Sequence, residues 1–441
     1  LYERSDKLNA DFARRGMTGS SWGGLFVDEL AAADPEVADL IEAQRAQNRA
    51  TVNLVASESY CPESTIEAEA SELLNKNASG YPPRVSFGGG DVLDRIELLA
   101  IERAKRLFGA EHANVQALSS TIANVAVLRA LLKPGERILA FDAASGGHGS
   151  HGHRKHLSGQ DYAVRTFGVD GATGAIDYDA ARRLAREHAP KLVIAGSSAH
   201  PRAIDFRALA AIADEAGALL FADIAHVAGL VIAGLHDNPV PYSAVVTTST
   251  HKTFCGPRTG GLVLCKAAHG AAVDAALAPG LQAAPGGHII AARAVLFELV
   301  RRPEFTDLMR AVVANAKALG AGLLEGGARL YAGGTDTHMV VVDLRGSQWT
   351  EAAVNDALMA AGVIANTTGL PARGGARLAL RLGSTPMTIR GMGEGDFHAL
   401  GTELAALLAG RADPARAARI GAWARAFLLP YAADLRRLAY D

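Results

Sequence analysis

Cysteine is scarce in this chain: Cys61, Cys255 and Cys265 are the only three in 441 residues, and none forms a CxxC pair. That argues against a disulfide framework or a cysteine-bound zinc, and a reducing cytoplasm is the expected location. An excess of one charge is also missing. With 44 basic and 46 acidic side chains the net charge is −2, which gives no global pull toward nucleic acid or an anionic membrane. No apolar run approaches the roughly 20 residues needed to span a bilayer, and the opening residues carry no basic-plus-apolar leader. Position 1 is Leu rather than Met, so the chain is expected to begin inside a longer natural one. What is present is ordinary for a globular enzyme: 49% hydrophobic and 20% charged residues exclude a disordered chain. A length of 441 exceeds what one compact core holds, so two domains are expected.

Residues 1–52 are polar and partly helical, with the Asp-Pro start of "DPEVADLIEAQRAQNRA", and are expected to form an arm for packing or dimerisation. From about residue 92 the pattern alternates. "VLDRIELLAIERAKRLFG" predicts an amphipathic helix closed by Gly109, while "RILAF", "KLVIAG", "ALLFADIA" and "AVVTTST" predict short buried strands separated by helices such as "TIANVAVLRALL". Such alternation implies an α/β fold with a mostly parallel sheet covered by helices, over residues 53–302. From 303 to 441, long helices and the strands "MVVVDL" and "RLALRLG" predict a smaller α+β domain.

Three segments carry chemistry. In "TTSTHKTFCGPRTGG", Lys252 follows hydroxyl residues that include Ser249, and His251 flanks it. In "FADIAHVAG", Asp223 ends an apolar strand and His226 lies three residues on, where open α/β sheets bind ligands. "SSTIAN" places Ser119, Ser120 and Thr121 at a helix start, where free N–H groups and the helix dipole hold phosphate. Singly, Asp223 is equally a helix cap and "SSTIAN" equally a capping motif. Together they are what pyridoxal 5'-phosphate requires: an amine for its aldehyde, a carboxylate for its pyridine nitrogen and a phosphate cradle.

The ordered motifs "LVASES", "LSSTIANVAV", "SGGHGSH", "FADIAHVAGLVIAGL", "VVTTSTHKTFCGPRTGG", "GGTDTH" and "LRLGSTPMTIRG" run from about Asn53 to Leu408. Over that span the chain resembles the serine hydroxymethyltransferase family of fold-type I pyridoxal phosphate enzymes. The resemblance implies an aspartate-aminotransferase-like fold and a homodimer with shared active sites that acts on a small amino-acid substrate, without metal, nucleic acid or membrane. It makes Lys252 the residue that holds the cofactor covalently and Asp223 the partner of the pyridine nitrogen. His148 would stack on the ring, and Ser198 and His226 would contact the phenolic oxygen or the substrate carboxylate. Ser119, Ser120, Thr121, Ser249 and Gly280 join the cofactor set, with His251 beside the lysine. Arg381, helped by Ser57, would grip the α-carboxylate.

The departures fall elsewhere. Where the family has Asn-Lys-Tyr-x-Glu-Gly-Tyr-Pro-Gly-x-Arg-Tyr-Tyr-Gly-Gly, this chain has "NKNASGYPPRVSFGG": Ser79 replaces the catalytic glutamate, and Asn77 and Phe87 replace tyrosines. Gly149 and Ala143 stand where leucines face the folate, and the "GGQGG" loop that reaches the partner reads "GLQAAPGG" from Gly280. Ser79 cannot act as a carboxylic acid. Ser79 and Phe87 are therefore expected to line a substrate site remodelled away from tetrahydrofolate. The expected activity is aldol or transaldol chemistry, or β-elimination or decarboxylation of a larger amino-acid conjugate in secondary-metabolite biosynthesis. The alternative is ordinary tetrahydrofolate-dependent hydroxymethyl transfer.

Overall fold

The apolar runs do form strands, and their alternation decides which face each residue covers. The structure, a computed structural model, describes residues 29–77, 79–84, 88–258, 260–371, 377–410 and 414–427. After the helix Pro35–Ala50, capped by Asp34, comes a short strand β1 (Val52–Asn53). Seven strands then build one sheet: β2 (His112–Asn114), β3 (Arg137–Phe141), β4 (Ala163–Phe167), β5 (Leu192–Gly196), β6 (Leu219–Asp223), β7 (Val245–Ser249) and β8 (Gly261–Cys265). Their order is β2-β8-β7-β6-β5-β3-β4. The five strands from β7 to β4 are parallel, while β8 runs antiparallel to both β7 and β2. The fold is therefore α/β with a mostly parallel sheet, as expected.

Both faces of this sheet are covered. Leu139, Phe141, Val193, Ala195, Leu220 and Ala222 point to one core, shared with the helices Asp91–Phe108 and Phe206–Glu215. Their neighbours Ile138, Ala140, Leu192, Ile194 and Phe221 point to the other, against the helix Ser120–Leu131. Burial on both faces is why these strands read as unbroken apolar runs. Gly109 closes Asp91–Phe108 at φ 72°, a left-handed position that glycine takes without steric cost.

The remaining strands are β9 (Met339–Asp343), β10 (Val363–Ile364), β11 (Asn366–Leu370) and β12 (Arg377–Gly383). β11-β12-β9 form an antiparallel sheet, and β10 pairs in parallel with β1. A second core joins Val340, Val342, Leu380, Leu382 and Phe397 with Val52 and Leu54 from the front of the chain. The helix Pro303–Glu325 serves both cores: Phe305, Met309 and Val312 pack on the large sheet, Leu319 and Leu323 on the small one. Arg390 ties the ends together through the carbonyls of Thr51, Ala424 and Phe427. No helix among the described residues is long and apolar enough to cross a membrane.

Candidate active site

The parallel strands deliver their C-terminal ends to one place. β6 ends in Asp223, and β7 runs into the buried Ser249 and Thr250 and then Lys252. The Lys252 ammonium donates to Ser249 Oγ at 2.8 Å. Burial pushes its pKa down to about 8, and the charges of Arg381 and Arg258 push the same way against the opposing pull of Asp223. A lysine so placed carries far more free amine near neutral pH than an ordinary lysine does, and the free amine is the form that attacks an aldehyde. His251 is held uncharged, at about 3, by burial and then by the neighbouring Lys252. Its Nδ1 has no hydrogen-bond partner among the described residues.

Asp223 is buried and stays anionic. Burial alone would raise its pKa, but a hydrogen bond from His151 and the charge of that ring, with the Asn124 amide, hold it far below the usual carboxylate range. His151 Nε2 lies 2.9 Å and Asn124 Nδ2 2.8 Å from Oδ2, while Oδ1 accepts from the Ala225 N–H. Asn124 is itself fixed, because its Oδ1 accepts from Thr247 Oγ1 at 2.6 Å and its Nδ2 also reaches Ser150 Oγ at 2.8 Å. Gly196, at the end of β5, makes room for this: a Cβ there would lie 2.6 Å from the Asp223 carbonyl oxygen and 3.1 Å from His151 Cε1. The His148 ring sits 5.6 Å from that of His151, and burial lowers its pKa to about 4. A neutral flat ring of this kind suits stacking.

Ser119 caps the helix Ser120–Leu131. Its Oγ takes the Ile122 N–H and its carbonyl the Ala123 N–H. The N–H groups of Ser120 and Thr121 then remain for an outside anion, at the positive end of a 12-residue helix. Gly261 opens β8 hard against this turn, since a Cβ on it would fall 2.3 Å from the Ser119 carbonyl oxygen.

A third group faces the same region from the small sheet. Arg381 donates to the Ser198 carbonyl, and Ser198 Oγ to the Gly147 carbonyl beside His148. Arg381 Nε and Nη2 also donate to Asn366 Oδ1 at 3.2 and 3.1 Å. His226 is buried and held neutral by burial and by the Lys252 and Arg381 charges, and its ring stacks on His338 at 5.4 Å. His338 Nε2 reaches the Ala56 carbonyl, next to Ser57. The half-buried Ser57 makes no side-chain hydrogen bond among the described residues.

The residues present fit pyridoxal 5'-phosphate. A buried carboxylate, a lysine amine, a neutral ring and a helix start with open N–H groups converge. The cofactor supplies an electron sink for the bond broken at the substrate Cα. Asp223 would hold the pyridine nitrogen, the Ser119–Thr121 helix start the phosphate, and Lys252 Nζ the aldehyde carbon. Among the described residues no group of three or more His, Cys, Asp or Glu side chains could hold a metal.

Sequence reasoning named Lys252, Asp223, His148, His226, Ser198 and Arg381, and the structure brings these together. It missed His151, Asn124, Thr247, His338 and Asn366, each of which acts through another side chain. Ser79 and Gly280 lie elsewhere: with Gly80 and Ala278–Ala283 they line an open cavity of about 440 Å³. No hydrogen bond among the described residues joins either to Lys252, Asp223 or Arg381. Gln282 connects the cavity to the site's edge, donating to the Gln116 carbonyl and accepting from the Leu118 N–H just before Ser119. Phe87 lies outside the described residues.

A family profile described as serine hydroxymethyltransferase matches residues 30–404, a span that includes every site residue discussed above. The chain belongs to the serine hydroxymethyltransferase family. It is 42% identical over 393 residues to the serine hydroxymethyltransferase of Coprothermobacter proteolyticus, covering 88% of this chain and 94% of that one. As a family member it is a pyridoxal phosphate-dependent enzyme acting on amino acids, with the fold-type I architecture that the seven-stranded sheet displays.

Proposed function

We propose that this enzyme makes and breaks the Cα–Cβ bond of a β-hydroxy amino acid, with glycine as the partner product. The observation that carries this reading is the meeting of Lys252, from the turn after β7, with Asp223 at the end of β6 and Arg381 on β12, which gives one site an amine, an electron-sink anchor and a carboxylate fork. Arg381 would hold the α-carboxylate, and Ser57 would assist. His226 and His251, both held neutral, would line the substrate site without adding positive charge beside Lys252 and Arg381.

The fate of the β-carbon divides two readings. The named relative supports ordinary hydroxymethyl transfer, with serine and glycine as substrates and tetrahydrofolate as the one-carbon carrier. One observation favours the other, folate-independent reading: Ser79, Asn77 and Phe87 stand where the family carries a glutamate and two tyrosines, and Gly149 and Ala143 replace leucines. Each lost leucine forfeits apolar contact worth about 1.5–3 kcal/mol with a flat ligand. A missing general acid–base group costs about 10²–10⁴-fold in rate. On that reading the β-carbon leaves as an aldehyde and the glycine unit is released or adds to a second aldehyde, or a larger conjugate is processed in a biosynthetic pathway. Serine turnover by the purified enzyme, with tetrahydrofolate titrated from zero, decides between them. Normal turnover that saturates with folate supports the ordinary enzyme. Folate-indifferent cleavage of threonine or other β-hydroxy amino acids supports the second.

The proposal extends to a homodimer in the cytoplasm, supported by three unpaired thiols and by a Ser79–Gly280 cavity that no described hydrogen bond joins to Lys252. It also divides the chain at residues 52 and 302, an arrangement supported by the separate cores of the large and small sheets.

A further inference from the structure

Arg381 and Asn366 are register partners across the antiparallel pair β12–β11. A guanidinium has five N–H donors and no acceptor. Three of those donors are committed: Nε and Nη2 to the single oxygen Asn366 Oδ1, and one on Nη1 to the Ser198 carbonyl. What remains is one N–H on each terminal nitrogen, with no partner among the described residues. That is the pair a carboxylate accepts in bidentate fashion. The Asn366 amide is oriented for its task, because its Nδ2 donates to the Thr367 carbonyl and its oxygen is left facing the guanidinium.

Charge adds a second observation. Arg381 is largely buried, yet no Asp or Glu forms an ion pair with it among the described residues, and all its partners are neutral oxygens. Burial lowers its pKa to about 10, and Lys252 lies close enough to feel its charge. A buried cation without a counter-charge is costly unless a ligand supplies one. An aspartate at position 366 would have supplied it permanently; the asparagine gives the same oxygen without the charge.

We propose that Asn366 is a positioning residue that turns the terminal edge of Arg381 toward the substrate α-carboxylate, and that its neutrality reserves the positive charge for that carboxylate. The inference rests on the proposed role of Arg381 and adds to it the residue that sets its angle and its selectivity. It implies a site that prefers an amino acid with a free carboxylate over the corresponding amide.

The test uses the holoenzyme and Asn366→Ala, Asn366→Asp and Arg381→Ala. Glycine affinity is read from the change in cofactor absorbance, together with kcat, KM, cofactor affinity and the preference for serine over serinamide. For Asn366→Ala the expected result is glycine binding weakened about tenfold or more, as for the loss of a charge-assisted hydrogen bond. Its kcat should stay within about threefold, its cofactor affinity should be unchanged and its preference over the amide should be reduced. Asn366→Asp keeps the shape and the oxygen facing Arg381 while losing the donor to the Thr367 carbonyl; with its fold checked by circular dichroism, its glycine affinity should fall further than that of the alanine variant. Glycine affinity within about twofold of the parent in both Asn366 variants, while Arg381→Ala binds glycine poorly, overturns the inference and leaves the role of Arg381 standing. Unchanged glycine affinity in Arg381→Ala overturns that role and the inference with it. Parallel loss of kcat, cofactor affinity and glycine affinity in the Asn366 variants makes Asn366 a general structural residue and likewise overturns it.

Discussion

The protonation of Lys252 turns on competing neighbours. Burial and two arginines favour the free amine, Asp223 opposes them, and the balance lies at about 8 against an ordinary 10.5. The sign follows directly: below about pH 8 the amine is mostly protonated and cannot attack, and above it the amine is mostly free. The rate at which cofactor-free enzyme takes up pyridoxal phosphate is therefore expected to rise through a midpoint near pH 8, and to level off well before pH 10. Stopped-flow absorbance across pH 6.5–10 measures it. A rate that keeps climbing toward pH 10.5 would mean that the amine is solvated in the cofactor-free enzyme. At this scale the sequence shows the actors and hides their supports. Lys252, Asp223 and Arg381 are legible because each interrupts an apolar or hydroxyl-rich run with a charge. His151 and Asn124 are not, because they serve Asp223 from 72 and 99 residues away in the chain. Only the closed sheet makes them neighbours.

At the scale of elements, strand ends and helix starts carry the function, and much of this is readable in advance. The run "ALLFADIA" announces a strand that ends on a carboxylate, and "SSTIAN" a capped helix, because burial and capping leave marks within one segment. Strand order leaves no such mark. β8 inserts antiparallel between β2 and β7, and β11 pairs with β12 so that Asn366 meets Arg381; both depend on contacts distant in sequence. The close approach of β8 to the phosphate turn is one such contact, and Gly261 makes it possible. Gly261→Ala puts a methyl group 2.3 Å from the Ser119 carbonyl oxygen, so the turn must move. The expected outcome is a stability loss of about 1–3 kcal/mol from overpacking, measured by urea unfolding. Cofactor affinity should fall at least several-fold, measured by fluorescence titration. Retained cofactor affinity in this variant would show that the phosphate is held by something other than the Ser119–Thr121 turn.

For the whole molecule the question is whether one chain makes a complete site. Ser79 and Gly280 share a cavity that no described hydrogen bond links to the chain's own lysine, and the chain also carries exposed large apolar side chains. Leu74 is 55% exposed, Val92 53%, Leu98 53% and Leu118 46%, while Leu40 on the Pro35–Ala50 helix is 64% exposed. Exposed apolar side chains of this size are what a second copy would cover. If the Gly280 loop completes the partner's site, two defects on different chains should compensate. Lys252→Ala removes the amine; Gly280→Val distorts the loop, because a Cβ at 280 already lies 2.4 Å from the Ala276 carbonyl oxygen. Each variant alone should be nearly inactive. Co-expressed in equal amounts, half of the twofold-symmetric dimers are hybrids, and each hybrid pairs an intact Lys252 with an intact loop at one of its two sites. Activity should therefore recover to about a quarter of the parent's. The assay is turnover of the mixed preparation against the sum of the two variants measured separately. Activity no greater than that sum, or an active single chain in sedimentation, would place all the required groups in one subunit and leave the Ser79–Gly280 cavity outside the chemistry.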